Sequence, residues 1–306
     1  MWGETSPYLI PNEFRVRSRS PVLLPVLNSF KRSICGLNPQ YEGSDQHDSQ
    51  EFLSFLLDGV HEDLNRILAK PPLNPTPEEE AFLETLPPQI ASEREWQSWK
   101  SRNDSLIVDY FQGQFRSRLQ CLTCEKVCLL SAATQWFFTH TIFQTSTTYN
   151  VFSILQLPVP KSRKPVSIDR CLGELLNEEV LEKDDSWDCP RCKTKRRASK
   201  RLTLARLPPV LVIHLKRFEA NARSADKIDT FVDFPMQGLD LTNHMPPPLP
   251  PGADRSELNG GLPMAKDDPR NQIPPYRYDL YAVTNHYGNL SSGHCECDPL
   301  LVLCAF

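Results

Sequence analysis

Apolar side chains recur at helical spacing over residues 48–68 of the chain. Asp48 and Glu51 open this stretch with the spacing of a capping box, in which two side chains of a first helical turn bond the backbone reciprocally. The apolar positions that follow are Phe52, Phe55, Leu56, Val60, Leu64, Ile67 and Leu68. This pattern predicts an amphipathic helix that begins at Asp48 and buries its apolar stripe in a core.

Other stretches before and after it predict helices or loops. Residues 92–95 repeat the capping-box pattern ahead of two tryptophans, which predicts a short helix that starts at Ser92. Residues 169–182 also carry apolar side chains at helical spacing. The polar residues 71–88, bounded by prolines, predict an exposed loop, and residues 1–34 show no clean period.

Strand patterns dominate from Ile107 onwards. Residues 115–120 alternate apolar or small side chains with polar ones, which predicts a half-buried strand. The continuous apolar run at 210–213 predicts a strand buried on both faces. Further strands are predicted over 149–157 and 278–283, and a proline- and glycine-rich loop is predicted over about 244–275.

Two C-x-x-C pairs stand out among ten cysteines. Cys121 and Cys124 form the first pair, Cys189 and Cys192 form the second, and 64 residues lie between the pairs. Two such knuckles supply the four sulfur ligands of a tetrahedral zinc site, which would clip distant segments together. Four unrelated thiols, or a redox C-x-x-C, are the alternatives. The polar, charged surroundings of both pairs favour structural zinc.

Composition narrows the classes of protein that fit. The 306 residues are 40% hydrophobic and 24% charged, as in globular proteins, and a net charge of −4 argues against general nucleic-acid binding. The basic patch at 193–201 is therefore interpreted as a solvated face. Zinc ligation by four cysteines indicates a reducing compartment. The sequence shows neither a signal peptide nor an apolar run long enough to cross a membrane, so we expect a cytoplasmic protein.

His294 is a candidate general base. It follows Gly293 in a turn after a predicted buried strand, which would hold the ring on one side and expose it on the other. A plain surface histidine fits this position equally well, and the same holds for His286, His214 and His47.

Four motifs together resemble the ubiquitin-specific cysteine proteases, and most nearly a fungal-type member. They are the helix start at residues 43–52, the two cysteine pairs, the strand at 207–218 and the histidine box at 278–294. The resemblance implies an α+β, papain-like fold of thumb, palm and fingers with a zinc-ribbon finger. It also implies thiol-dependent cleavage of the isopeptide bond after the Gly-Gly end of ubiquitin, by a Cys–His–Asp/Asn triad.

The resemblance assigns roles to individual residues. His294 matches the general base, Asp48 matches an acid that binds the basic tail of ubiquitin, and His286 matches a polar position beside the cleft. The four cysteines match the ligands of a structural Zn²⁺. The implied partners are ubiquitin or ubiquitinated proteins, with no nucleic acid and no membrane span.

The sequence departs from the family pattern in three places. The nucleophile box that should open a helix upstream is not found, and Gly36 and Pro39 forbid a helix that starts on Cys35. Cys295 replaces the tyrosine expected after the base, and Asp298, the downstream carboxylate considered for the third triad position, lies too close to return across a sheet. Residues 128–144 look inserted.

These departures set the expected organisation and function. We expect an irregular segment at 1–30, a protease-like domain at 31–294 that is incomplete at both ends, and a divergent tail at 295–306. Within the domain, the helical thumb covers about 31–106, and the fingers and palm cover about 107–294. A truncated or mis-spliced protease that binds ubiquitin without turnover is expected, and a zinc-dependent interaction scaffold is the alternative.

Overall fold

The computed structural model describes residues 23–298, except 44, 46, 73–74, 124–144, 183–185, 222–223, 266 and 290–292. Its helices are α1 (Leu23–Leu37), α2 (Ser49–Leu64), α3 (Pro77–Leu83), α4 (Pro88–Lys100), α5 (Leu106–Phe111) and α6 (Ile168–Leu176). Its strands are β1 (Gly113–Cys121), β2 (Thr145–Phe152), β3 (Ile154–Pro158), β4 (Val166–Ser167), β5 (Glu179–Leu181), β6 (Trp187–Cys189), β7 (Thr194–Arg196), β8 (Ala198–Arg206), β9 (Val212–Lys216), β10 (Phe218–Asn221), β11 (Ser224–Lys227), β12 (Val232–Asp233), β13 (Leu239–Asp240), β14 (Arg277–Tyr278), β15 (Val283–Gly288) and β16 (Gly293–Asp298). The predicted α+β fold class is confirmed.

One four-stranded antiparallel sheet, in the order β2-β1-β8-β5, forms the largest sheet. The other described strands pair two by two. β3 runs parallel to β9 and β4 runs parallel to β12, while β10–β11, β13–β14, β15–β16 and β6–β7 are antiparallel. The predicted strand at 115–120 is confirmed as the central part of β1.

The main core lies where α6 packs against β3 and β8. Its completely buried side chains are Leu155, Leu157, Leu172, Leu204 and Leu241. Burial of a leucine side chain stabilises a fold by about 1.5–3 kcal/mol, so this cluster is a principal source of stability.

Helix α2 begins where the sequence predicts. The carboxylate of Asp48 caps it by accepting a bond from the Gln50 backbone N–H, at 2.7 Å. The predicted apolar stripe does not form core: Phe52, Phe55 and Leu56 are half-buried, Val60 and Leu64 are exposed, and Leu68 lies beyond the helix, 95% exposed. The buried positions of α2 are Leu57 and His61, which lie outside the predicted stripe. His61 occupies the buried face because its Nδ1 bonds the buried hydroxyl of Ser105, at 2.8 Å.

Two segments expected to be irregular contain helices. Helix α1 begins at Leu23, inside the predicted irregular segment 1–30, since Pro25 lies in the first turn, where backbone N–H groups need no helical partner. Helix α3 lies inside the predicted loop at 71–88. There Thr76 and Glu79 form a capping box, with bonds of 3.2 and 2.8 Å.

The predicted capping box at Ser92 is wrong. Helix α4 starts four residues earlier, at Pro88, and Ser92 is buried inside it. Its hydroxyl donates to the Gln114 side chain at 2.6 Å, and Glu93 pairs with Arg206. The polar residues that resemble a helix start therefore make tertiary contacts instead.

Two continuous patterns divide into separate elements. The run at 149–157 breaks at Ser153 into β2 and β3, which join different sheets. The predicted helix at 169–182 ends at Leu176, because Asn177 is extended and the chain then forms β5 beside β8. A regular apolar pattern carries no information on where a strand changes partners.

The later strands also differ from prediction. β9 begins two residues later than the predicted run at 210–213, and residues 212–215 are half-buried rather than buried on both faces, since β9 pairs with β3 in a two-stranded sheet. Strand β14 stops at Tyr278 because the Asp279 carboxylate accepts a bond from the Gly238 N–H, at 2.8 Å. Residues 295–298 of the predicted tail continue strand β16. The predicted insertion at 128–144 lies outside the described residues.

Candidate functional site

The histidine hairpin, β15 and β16, carries the candidate base. His294 lies opposite Tyr287 in the ladder, and their rings stack with centroids 5.5 Å apart. The His294 side chain is 66% exposed. The hairpin therefore supports the backbone of His294 and leaves its imidazole open to solvent.

Glu296 is a partner of His294 that sequence reasoning missed. Its Oε1 lies 3.3 Å from His294 Nε2. The two residues are two positions apart in one strand, so their side chains share a face of the hairpin. A carboxylate on one imidazole nitrogen favours a single tautomer and orients the ring, which leaves Nδ1 to accept a proton. The i, i+2 spacing of a carboxylate and a histidine in a strand is the signal that could have found it.

His286 projects from the same hairpin and is held on two sides. Its Nδ1 lies 3.2 Å from Lys227 Nζ, and its ring meets Phe218 edge-on at a centroid distance of 5.4 Å. Burial, with the Lys227 ammonium next, lowers the pKa of His286 below its ordinary value. The structure therefore favours neutral imidazole at this position.

The negative charge of Asp48 acts on two of the candidate histidines. Its carboxylate acts to raise the pKa of both His286 and His214, against the larger effect of burial, which lowers both. His294 also acts on His286. The start of α2, which carries Asp48, therefore lies near the histidine hairpin on its His286 side, whereas His294, opposite Tyr287, projects from the other face of the hairpin. His47, the remaining candidate, packs on Tyr41 with ring centroids 5.1 Å apart.

The flanking residues predict that no helix starts at Cys35, and none does. It lies in the last turn of α1, and its thiol donates to the Tyr41 carbonyl oxygen at 3.2 Å. Cys295 is exposed and lies opposite His286 in the hairpin. Asp298 lies in the same strand as His294, opposite Val283, so it does not return on a separate strand.

A second site is formed by three cysteines at the end of the four-stranded sheet. The sulfur atoms of Cys121, Cys189 and Cys192 all lie within 4.8 Å of one another. Cys121 ends β1 and Cys189 ends β6, and both are buried. Cys124, the fourth predicted ligand, lies outside the described residues.

The local backbone around this cluster fits a metal centre. The Thr123 N–H donates to the Cys121 sulfur and the Cys192 N–H donates to the Cys189 sulfur, each at 3.4 Å. Lys193, next to the second pair, has a φ of 55°, the left-handed conformation of a tight knuckle. Sulfur atoms that converge and accept backbone N–H bonds are suited to hold a metal as thiolates.

Comparison with known proteins identifies the family. A family model described as ubiquitin carboxyl-terminal hydrolase matches residues 5–300. The chain belongs to the ubiquitin carboxyl-terminal hydrolase family. The resemblance indicated by the four sequence motifs is thereby confirmed.

Curated relatives in this family are much longer than the chain. Ubiquitin carboxyl-terminal hydrolase 4 of Saccharomyces cerevisiae is 40% identical over 272 residues, which cover 87% of this chain and 26% of the relative. Ubiquitin carboxyl-terminal hydrolase 5 of the same yeast is 39% identical over 274 residues, covering 89% and 30%. The rat hydrolase 2 is 33% identical over 268 residues, covering 87% and 36%. The chain thus spans about a quarter to a third of these relatives.

Solved structures share the fold of this hydrolase-family chain. The SAGA DUB module bound to ubiquitin aldehyde gives a TM-score of 0.52 at 22% identity, covering 85% of this chain and 43% of that chain. The same module bound to monoubiquitin gives 0.52 at 21% identity. Among the described residues, no helix is long and apolar enough to cross a membrane.

Proposed function

We propose that this chain binds ubiquitin at the histidine hairpin and the adjoining start of α2, as the thumb, palm and fingers of a ubiquitin-specific protease, and that its described thiols do not turn ubiquitin conjugates over. The observation that carries the proposal is the pairing of His294 Nε2 with Glu296 Oε1 at 3.3 Å, on a hairpin whose other histidine, His286, is acted on by the Asp48 carboxylate. In this proposal Asp48 receives the basic tail of ubiquitin. His294, oriented by Glu296, occupies the position of the general base.

Turnover would require a thiol that gives its proton to His294. Adjacent residues of a strand point to opposite faces, so the exposed thiol of Cys295 and the ring of His294 diverge. Cys35 is bonded to the Tyr41 carbonyl. Cys171 is fully buried, and burial raises the pKa of its thiol, which disfavours the nucleophilic thiolate. These constraints support binding without thioester formation by Cys35, Cys171 or Cys295.

We propose that the cysteine cluster holds a structural Zn²⁺, with Cys124 as the fourth ligand. Such a metal would supply no catalytic chemistry, because four protein ligands close its coordination shell. Cys121 would tie the end of β1 to the knuckle that carries Cys189 and Cys192. Reduced thiolates at this site also support a cytoplasmic location.

The test combines a binding measurement with a chemical probe. The full chain is titrated with ubiquitin by calorimetry, and ubiquitin that lacks its Gly-Gly end serves as the control. Saturable binding that weakens with the shortened ubiquitin is expected. Absence of binding would overturn the proposal.

The probe is ubiquitin with a cysteine-reactive group at its carboxyl terminus. No covalent adduct is expected on incubation with the chain, as followed by intact mass. An adduct would show a competent nucleophile, and its loss in Cys35→Ala or Cys295→Ala would locate the thiol and refute binding without turnover.

A further inference from the structure

Two residues of the neighbouring β10–β11 hairpin contact His286. Phe218 and Lys227 lie directly opposite each other in the β10–β11 ladder, so their side chains share one face. The Phe218 ring meets the His286 ring at 76°, and Lys227 Nζ lies 3.2 Å from His286 Nδ1. The imidazole is therefore held by an aromatic contact and a polar contact from adjacent strands.

The ammonium of Lys227 makes three contacts with the histidine hairpin. Besides His286 Nδ1, it donates to the carbonyl oxygens of His286 at 2.9 Å and Gly288 at 3.2 Å. A lysine ammonium has three N–H donors and no acceptor, so these partners match its full capacity. Nδ1 of His286 must then accept, which places the proton of the neutral ring on Nε2.

The far side of the same ring touches the residue before the candidate base. A Cβ added at Gly293 would lie 2.6 Å from His286 Nε2 and still closer to the Tyr287 carbonyl oxygen. Glycine is required at 293 because the His286 ring and the opposite strand occupy that space. A continuous set of contacts thus runs from Lys227 through His286 to Gly293, and His294 follows by a peptide bond.

The hairpin needs such an anchor. Strands β15 and β16 form a two-stranded sheet, and isolated hairpins are marginally stable in water. Its ladder fixes β15 relative to β16 but does not fix the pair relative to the rest of the fold. Side-chain bonds to β10–β11 supply that second restraint.

We infer that Lys227 is a positioning residue: it fixes the histidine hairpin through His286 and so sets where the His294 imidazole projects. Its importance for catalysis or ubiquitin binding rests on the proposed function, but the contacts themselves do not. Protonation of His286 would turn Nδ1 into a donor and remove one of the three acceptors of Lys227. The charged or titratable groups that act on His286 are Lys227, Asp48 and His294.

The experiment uses nuclear magnetic resonance of the full chain with ¹⁵N-labelled histidine. In the wild type, the ¹⁵N shifts of His286 should show the Nε2–H tautomer. In Lys227→Met that preference should weaken, and the pKa of His286 should rise because the neighbouring ammonium is gone. Lys227→Arg should restore the lower pKa, since it returns the positive charge.

Amide hydrogen exchange gives the second readout. Loss of a charge-assisted bond should speed exchange in β15 and β16 by about tenfold or more in Lys227→Met, with little change in β1 and β8. The matched control is Lys164→Met, at an exposed lysine between β3 and β4, which should leave both strand pairs unchanged.

Several outcomes would overturn the inference. They are an Nδ1–H tautomer in the wild type, an unaltered His286 titration in Lys227→Met, or faster exchange spread evenly over all strands. If Lys227→Met does not fold, the wild-type tautomer and the Lys227→Arg titration decide the question. None of these measurements needs ubiquitin, so a failed ubiquitin titration and a failed positioning role are distinguishable.

Discussion

Glu93 of α4 and Arg206 of β8 form an ion pair that is almost fully buried, with side-chain exposures of 4% and 9%. Glu93 also accepts bonds from the Gln97 side chain at 2.6 Å and the Gly260 backbone N–H at 3.0 Å. The Arg206 guanidinium lies over the Trp96 ring, 4.7 Å from its centroid. Burial lowers the pKa of Arg206, and Glu93 opposes that effect. This network ties helix α4 to the main sheet and to the proline-rich loop.

Removal of the charge of Glu93 should strongly destabilise the fold. In Glu93→Gln the buried guanidinium loses its counter-ion, and breaking a buried pair in this way costs about 3–5 kcal/mol. The free energy of unfolding from urea denaturation measures the loss. The double variant Glu93→Gln/Arg206→Met should recover part of it, because no unpaired charge is left inside.

The neighbouring residue provides the control for this prediction. Arg94 pairs with Glu257, and both side chains are 40% exposed. Solvent-exposed pairs contribute little, so Arg94→Met should cost no more than about 1 kcal/mol. Equal losses of unfolding free energy in Glu93→Gln and Arg94→Met would contradict the prediction that the buried pair matters more than the exposed one.

Substitutions of Asp48 should separate its role as the cap of α2 from its proposed role in ubiquitin binding. Asparagine caps helices about as well as aspartate, so Asp48→Asn should leave stability nearly unchanged, whereas Asp48→Ala should cost about 1 kcal/mol. If the carboxylate receives the basic tail of ubiquitin, both variants should weaken ubiquitin binding. Calorimetric titration and urea denaturation of the same samples measure both effects. Unimpaired binding by Asp48→Asn would refute a role for the charge.

The sequence predicts elements well where local chemistry and tertiary structure agree. Asp48 caps α2 as its pattern indicates, and the alternation at 115–120 forms β1. Ser92 has the same local signature as a cap but bonds Gln114, which only the fold brings near. Pro25 suggests an irregular segment where the structure has helix α1, because a proline in the first helical turn removes no helical hydrogen bond.

A fall in pH should destabilise the fold because it favours protonation of His214 in the unfolded chain. Burial lowers its pKa below the ordinary 6.5, and its Nδ1 is buried without a hydrogen-bond partner among the described atoms. The unfolded chain therefore takes up a proton at higher pH than the folded chain does. This contribution to stability is complete above about pH 7.5 and is lost as pH falls through 6.5.

The variant His214→Leu isolates that effect. The difference in unfolding free energy between wild type and variant should depend on pH between about 5 and 7.5, with the wild type losing more in acid. Parallel stability curves for the two proteins would contradict the prediction.

Loss of the proposed zinc ion should loosen the cysteine cluster selectively. Cys189→Ser should abolish bound zinc, measured by elemental analysis, and speed hydrogen exchange in β6 and β7. The matched control is Cys295→Ser, at an exposed cysteine away from the cluster, which should retain zinc. Full zinc content in Cys189→Ser would rule out this residue as a ligand.

The residues of the candidate sites could be predicted only in part from the sequence. The cysteine pairs and the histidine box carry fixed spacings, so Cys121, Cys189, Cys192, His286 and His294 could be selected directly. Lys227 could not be selected, because its contact with His286 joins hairpins 59 residues apart through side chains that no local pattern relates. Contacts of this kind depend on how separate hairpins pack.

The pairing of Glu93 also has a consequence for synthesis of the chain. Arg206 follows it by 113 residues, and the Gly260 amide follows by 167. At about 5–20 residues per second, a ribosome adds Arg206 roughly 6–23 seconds after Glu93. During that interval the carboxylate must remain hydrated, and helix α4 cannot adopt its final burial. Until the second half of the domain has been synthesised, the Trp96 face of α4 therefore lacks the residues against which it finally packs.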